Sequence, residues 1–167
     1  MTRLKEETGI RGVVAGDIWI AEHKLWYESV CEGLGIDVIL PLWGAEPNRI
    51  LDEFVSQGFR AIFTCVRRPW FSEEWLGREL DNDHVEAVKT LSRENRIDPC
   101  GENGEYHTMV IDGPIFKEAV EISKFSVEER NRVLFMKVEE CFLKPKKLHT
   151  SSLKNIGNVE ASKVGRK

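Results

Sequence analysis

The chain has 167 residues, with 24 lysines and arginines against 28 aspartates and glutamates and a net charge of -4, so no global positive field draws nucleic acid or an anionic lipid surface to it. Apolar residues make up 41% and charged residues 31%, with five tryptophans and eight phenylalanines, which supports a packed core and excludes disorder throughout. No run reaches the roughly eighteen apolar residues that span a bilayer, and the charged start MTRLKEETGIRG has no apolar signal core, so a soluble, cytoplasmic chain with neither membrane nor nucleic acid among its partners is expected.

The first apolar run, Ile10 to Ala15, suits a strand buried on both faces of a parallel sheet, and Asp17 falls at its carboxyl end. From Ala21 to Leu34 the spacing changes to helical, with Leu25, Trp26, Val30, Cys31 and Leu34 on one stripe and Gly35 as the stop. Ile36 to Leu40 reads as a second strand ended by Pro41, giving a strand-helix-strand unit of the sort that builds doubly wound sheets. A domain boundary is expected after Gly44, where Glu46-Pro47 opens a helix with Ile50, Leu51, Phe54 and Val55 on one face up to Gly58.

Phe59 to Val66 predicts a strand, and Asp83 to Asn95 a helix capped by Asp83, with Glu86 at the capping-box position and Val85, Val88 and Leu91 facing inward. The aromatic stretch RRPWFSEEWLG between them could stack on a ring, but Trp70, Phe71 and Trp75 fit a core better. Three further strands are expected at Thr108 to Ile111, Ile115 to Phe125 and Arg132 to Leu143, the last two joined by SVEERN as the turn. Residues 144–167 are polar and basic without periodicity and predict a disordered tail.

Chemistry-bearing residues concentrate in Asp98-Pro99-Cys100-Gly101-Glu102-Asn103-Gly104-Glu105-Tyr106-His107-Thr108. A glycine-rich loop ahead of a strand brings backbone amides close to a ligand. If the chain is extended from Glu105, then Glu105 and His107 share a face, where carboxylate and imidazole could accept a proton, hold an ammonium or ligate Mg2+. The plain alternative is a surface turn rich in Asp, Asn and Gly. Asp17 fits both a ligand position outside the sheet and a helix cap, and Glu28 fits a solvated helix face. The cysteines Cys31, Cys65, Cys100 and Cys141 never approach C-x-x-C spacing and read as reduced thiols. His23, His84 and His149 show no ligand pattern.

In order along the chain stand GDI at Gly16 to Ile18, WYESVCEGLGID at Trp26 to Asp37, PLWG at Pro41 to Gly44, GFRAIFTCV at Gly58 to Val66, LGREL at Leu76 to Leu80, CGENGEYHT at Cys100 to Thr108 and DGPIF at Asp112 to Phe116. Together they resemble the diphthine-ammonia ligase-like family of ATP pyrophosphatases. The resemblance implies an α/β fold. Residues 1–44 would be the C-terminal part of an adenine nucleotide alpha hydrolase-like (Rossmann-like) parallel sheet, 45–143 a smaller α+β domain shaping the acceptor site, and 144–167 the tail.

The resemblance also implies ATP and Mg2+, used to activate a small-molecule or protein carboxylate as an acyl-adenylate that ammonia converts to an amide with release of AMP. In site roles it implies Glu102, Glu105 and His107 as catalytic, Gly101, Gly104, Thr108, Glu28 and Asp112 around the acceptor, and Gly16 and Asp17 on the nucleotide side, with no metal ligand assigned. Family members open with a serine-glycine-glycine-lysine phosphate loop that has no counterpart here, so the ATP half is expected to be incomplete in this chain. A homo-oligomer or partner is then expected to cover the sheet edge. His107 stands where archaeal and eukaryotic members carry glutamate, which resembles the bacterial variant and implies an acceptor other than diphthine. The rival expectation is a non-catalytic binding fragment.

Overall fold

The computed structural model describes residues 1–146. It is a mixed α/β chain with a two-stranded parallel sheet and a four-stranded antiparallel sheet. Helix α1, Thr2–Thr8, was not foreseen from the charged amino-terminal sequence; it buries no residue and ends at Gly9 in the left-handed region. An Arg3–Glu7 pair one turn apart (2.7 Å) runs along it, and the Lys5 ammonium donates to the Leu34 carbonyl.

Strand β1 (Gly12–Val14), helix α2 (Ala21–Leu34) and strand β2 (Asp37–Ile39) form the expected strand-helix-strand unit, its strands parallel with Val13 opposite Val38. Gly35 stops α2 at φ 60°, its N–H bonded to the Cys31 and Glu32 carbonyls, a conformation that costs other residues roughly 1–2 kcal/mol. The expectation that β1 is buried on both faces does not hold: Val14 is 67% and Ile39 51% exposed. A two-stranded sheet offers few neighbours, and no described element covers these side chains. The helical stripe is likewise only partly used, with Cys31 buried while Leu25 and Trp26 stay exposed.

Helix α3, Pro47–Ser56, starts as expected, with the Glu46 carboxylate accepting from the Asn48 and Arg49 amides and Pro47 in the first turn. Leu51 is buried, and Phe54 and Val55 pack beside it. Helix α4, Asn82–Asn95, is capped by Asp81 rather than Asp83: the Asp81 carboxylate accepts from the His84 amide at 3.0 Å. Asp83 instead occupies the first turn, where its charge still suits the positive end of the helix. Val85 and Val88 are buried and Leu91 partly so.

The antiparallel sheet runs in the order β4-β3-β6-β5, from β3 (Arg60–Arg67), β4 (Tyr106–Asp112), β5 (Glu118–Arg130) and β6 (Val133–Pro145). Phe63 is opposite Thr108 and Val66 opposite Tyr106, while Cys65 is opposite Phe135 on the other side. The hairpin turn is only Asn131-Arg132, both at positive φ, so SVEER belongs to β5. A two-residue loop with both residues at positive φ matches strand twist, and asparagine tolerates that conformation. Lys144 and Pro145, expected in the tail, complete β6; residues 147–167 lie outside the described residues.

The main core sits where α3, α4 and the loop after β3 cover β3. Ala61, Phe63 and Val66 are fully buried. Phe63 meets Trp75 and Tyr106 edge-on at 5.1 Å each, and Phe71 meets Trp75 at 5.0 Å, so the aromatic loop is core. Each such ring contributes roughly 1.5–3 kcal/mol by leaving water.

Candidate active site

The acid-rich loop folds around its own polar groups. Glu105 is buried at 4% exposure, and its two carboxylate oxygens accept from the backbone amides of Asp98 (2.9 Å) and Asn103 (3.0 Å). Asp98 Oδ1 accepts from the Cys100 amide at 2.7 Å, and the Tyr106 hydroxyl donates to the Pro99 carbonyl at 2.6 Å. Gly101 is at φ 74°, where a Cβ would lie 2.7 Å from the Tyr106 carbonyl oxygen. These contacts hold the backbone at the start of β4, and β4 begins only at Tyr106. Glu105 therefore turns inward while His107 is exposed, so the two do not form the side-by-side pair that simple alternation predicted.

Two further bonds tie this loop to the end of β1. Glu102 Oε2 accepts from the Ile18 amide at 3.1 Å, and Trp19 Nε1 donates to Asp98 Oδ2 at 2.8 Å. The result is a cavity of about 340 Å3 lined by Asp17, His23, Gly101, Glu102, His107 and Thr108, with Cys100 and Tyr106. A smaller neighbouring cavity of about 200 Å3 adds Gly16 and shares Glu102 and Thr108. Residues separated by more than eighty positions, such as Ile18 and Glu102, thus meet at one site.

Not every candidate arrives there. Glu28 lines neither cavity and lies 3.8 Å from Lys24 on the exposed side of α2. Asp112 sits at the far end of β4, about 20 Å along the strand from Tyr106; there it accepts from Lys146 at 2.6 Å. Burial alone would raise the Asp112 carboxyl, but the Lys146 and Gly113 donors outweigh it and hold it below its ordinary value. Gly104 shapes the loop, its carbonyl accepting from Arg67 Nε at 3.0 Å.

Three residues without an assigned role belong to the site. His23 Nδ1 lies 2.6 Å from Asp17 Oδ1. Tyr27 stands one turn further along α2, and burial first, then Asp17 and the Glu102 charge, push its phenol upward. Asp98 anchors both its own loop and Trp19. An imidazole in the first turn of a helix that follows an aspartate was the available signal for His23, but spacing alone does not show how the intervening loop returns. The Cys100 thiol is pushed up to about 12, by burial first and then by Asp98, Glu102 and Glu46, and it donates to the Pro47 carbonyl, so it is no nucleophile at neutral pH.

The lining carries two carboxylates, Asp17 and Glu102, and no lysine or arginine. It does not fit a triphosphate; it fits an ammonium, an amine or a neutral polar group. Among the described residues no group of three or more His, Cys, Asp or Glu side chains is arranged to hold a metal ion by itself, whereas Mg2+ that arrives with a nucleotide needs only one or two carboxylates.

Diphthine-ammonia ligase of Schizosaccharomyces pombe is 29% identical over 140 residues, covering 83% of this chain and 23% of that protein. The diphthine-ammonia ligases of Bos taurus (27% over 147 residues) and Danio rerio (29% over 151 residues) cover 87% and 90% of this chain. The chain spans 54% and 58% of the length of those two relatives. A family model described as the diphthamide synthase C-terminal domain matches residues 46–144. That match takes in α3, α4, the acid-rich loop and nearly all of the antiparallel sheet, more than half of the chain, and the chain belongs to the diphthamide synthase C-terminal domain family.

Proposed function

We propose that this chain forms the acceptor side of an ATP-dependent, AMP-forming amide ligase. The observation that carries the reading is the shared cavity, in which the end of β1 and the acid-rich loop are pinned together by the Ile18–Glu102 bond. Adenylation turns a carboxylate oxygen into a good leaving group, and an amine can then form the amide. In this scheme Glu102 and His107 face the amine and the acyl group, Gly101 and Thr108 shape the acceptor wall, and Glu105 holds the loop through its two amide bonds. Gly16 and Asp17 would border the nucleotide side, within a Rossmann-like unit built on β1, α2 and β2. Mg2+ would travel with the nucleotide, and the phosphates would be held by residues other than those of the acidic cavity. His107 supports an acceptor other than diphthine.

The test is ammonium-dependent formation of AMP and pyrophosphate from ATP and Mg2+ across a panel of carboxylic acids. It is run on this chain alone and on this chain supplied with the amino-terminal phosphate-loop half of a family member. At least one form is expected to make AMP only when acceptor and ammonium are both present, with a loss of about 100-fold or more in Glu102→Ala, within the range for removing a catalytic polar group. No AMP from either form with any acceptor overturns the reading.

A further inference from the structure

Asp17 and His23 form a carboxylate-imidazole pair in the wall of the acidic cavity. Asp17 follows the carboxyl end of β1 and is 13% exposed, while His23, in the first turn of α2, is 54% exposed. Nδ1 of His23 meets Asp17 Oδ1 at 2.6 Å, and a carboxylate there favours the tautomer with the proton on Nδ1 and a lone pair on Nε2. We propose that His23, oriented by Asp17, is the general base that deprotonates the amine nucleophile in this cavity, a role that rests on the amide-ligase reading.

Other groups around the cavity are partly engaged by the fold. Glu102 Oε2 accepts the Ile18 amide and so leaves one oxygen to face the amine, the Cys100 thiol donates to the Pro47 carbonyl, and the Tyr27 phenol is pushed upward by burial first and then by Asp17. His107 has no carboxylate partner among the described residues, so nothing fixes its tautomer. Ammonium has no lone pair until it loses a proton. Transfer of that proton to His23 Nε2 frees the nitrogen lone pair, which forms the C–N bond at the activated acyl carbon. The C–O bond to the phosphate leaving group breaks, and the bonding pair departs with the phosphate monoester. The adduct nitrogen then gives up one further proton, through the same imidazole once its half-exposed ring has passed the first to water.

The experiment compares ammonium with hydroxylamine, which is uncharged at neutral pH and needs no base to become nucleophilic, in whichever form of the protein makes AMP. His23→Gln is expected to lose about 100-fold or more in kcat with ammonium, and at least tenfold less than that with hydroxylamine. Equal losses with both, or no loss with ammonium, overturn the role of His23 while leaving the ligase reading intact. If the wild-type protein makes no AMP with either nucleophile, the reading fails and the role falls with it. Imidazole 15N shifts of the 167-residue chain give a readout besides activity: His23 is expected with its proton on Nδ1 and to become a tautomer mixture in Asp17→Asn. A proton on Nε2 in the wild type overturns the proposal.

Discussion

At the scale of single residues, the acid-rich loop is governed by backbone geometry before it is governed by charge. Gly101 and Gly104 both have positive φ, but a Cβ at Gly101 would strike the Tyr106 carbonyl oxygen at 2.7 Å, whereas at Gly104 it would meet only the Arg67 guanidinium at 3.4 Å. Gly101→Ala is therefore expected to cost about 2 kcal/mol or more, and Gly104→Ala about 1 kcal/mol, by urea denaturation. Glu105→Gln replaces an acceptor oxygen with a donor facing an amide, and should destabilise the chain by about 1–3 kcal/mol and speed hydrogen exchange at Asp98 or Asn103. The clustering of Glu102, Glu105 and His107 in one short stretch of chain was legible from their spacing. That Glu105 points inward was not, because the side-chain alternation assumed a strand starting one residue too early. Thiol chemistry gives a separate check: Cys141 is exposed while Cys100 is pushed up to about 12 by burial, so iodoacetamide near pH 8 should label Cys141 well before Cys100, as read by peptide mass spectrometry.

At the scale of elements, helix bodies were readable and their caps less so. The run from Val85 to Leu91 fixed the inward face of α4, but two aspartates, Asp81 and Asp83, stood near its start, and only the bond to the His84 amide selects Asp81. Asp81→Ala is expected to cost about 1 kcal/mol and Asp83→Ala a few tenths, measured by thermal unfolding. Asp81 is held below its ordinary carboxylate range, first by the His84 amide. Its contribution should thus be complete above about pH 4, the unfolded value, and fade as pH falls through the lower folded value. The hairpin shows the opposite difficulty: SVEERN is rich in turn-forming residues, yet the twelve-pair ladder from Glu118–Pro145 to Arg130–Val133 leaves only Asn131 and Arg132 for the turn. Cross-strand pairing across the full ladder outweighs local turn preference.

At the scale of the whole molecule, burial is uneven. The centre of β3 is sealed, with Ala61, Phe63 and Val66 fully buried, whereas Val14, Leu25, Trp26 and Ile39 are exposed in the parallel unit. Native-state hydrogen exchange should therefore show residues 12–39 opening at lower free energy than β3, and similar protection in both would contradict this burial pattern. By itself the sequence determined the strand-helix-strand unit, the helices α2, α3 and α4, the aromatic core and the family resemblance, because periodicity, caps and ordered motifs are local properties of a chain. Only the tertiary structure decided which chemistry-bearing residues meet: Asp17 and His23 join Glu102 and His107 at one cavity, and Glu28 and Asp112 lie elsewhere. The physical reason is that a cavity is made by contacts across long separations, and here two hydrogen bonds, Ile18 to Glu102 and Trp19 to Asp98, bring the end of β1 against the acid-rich loop.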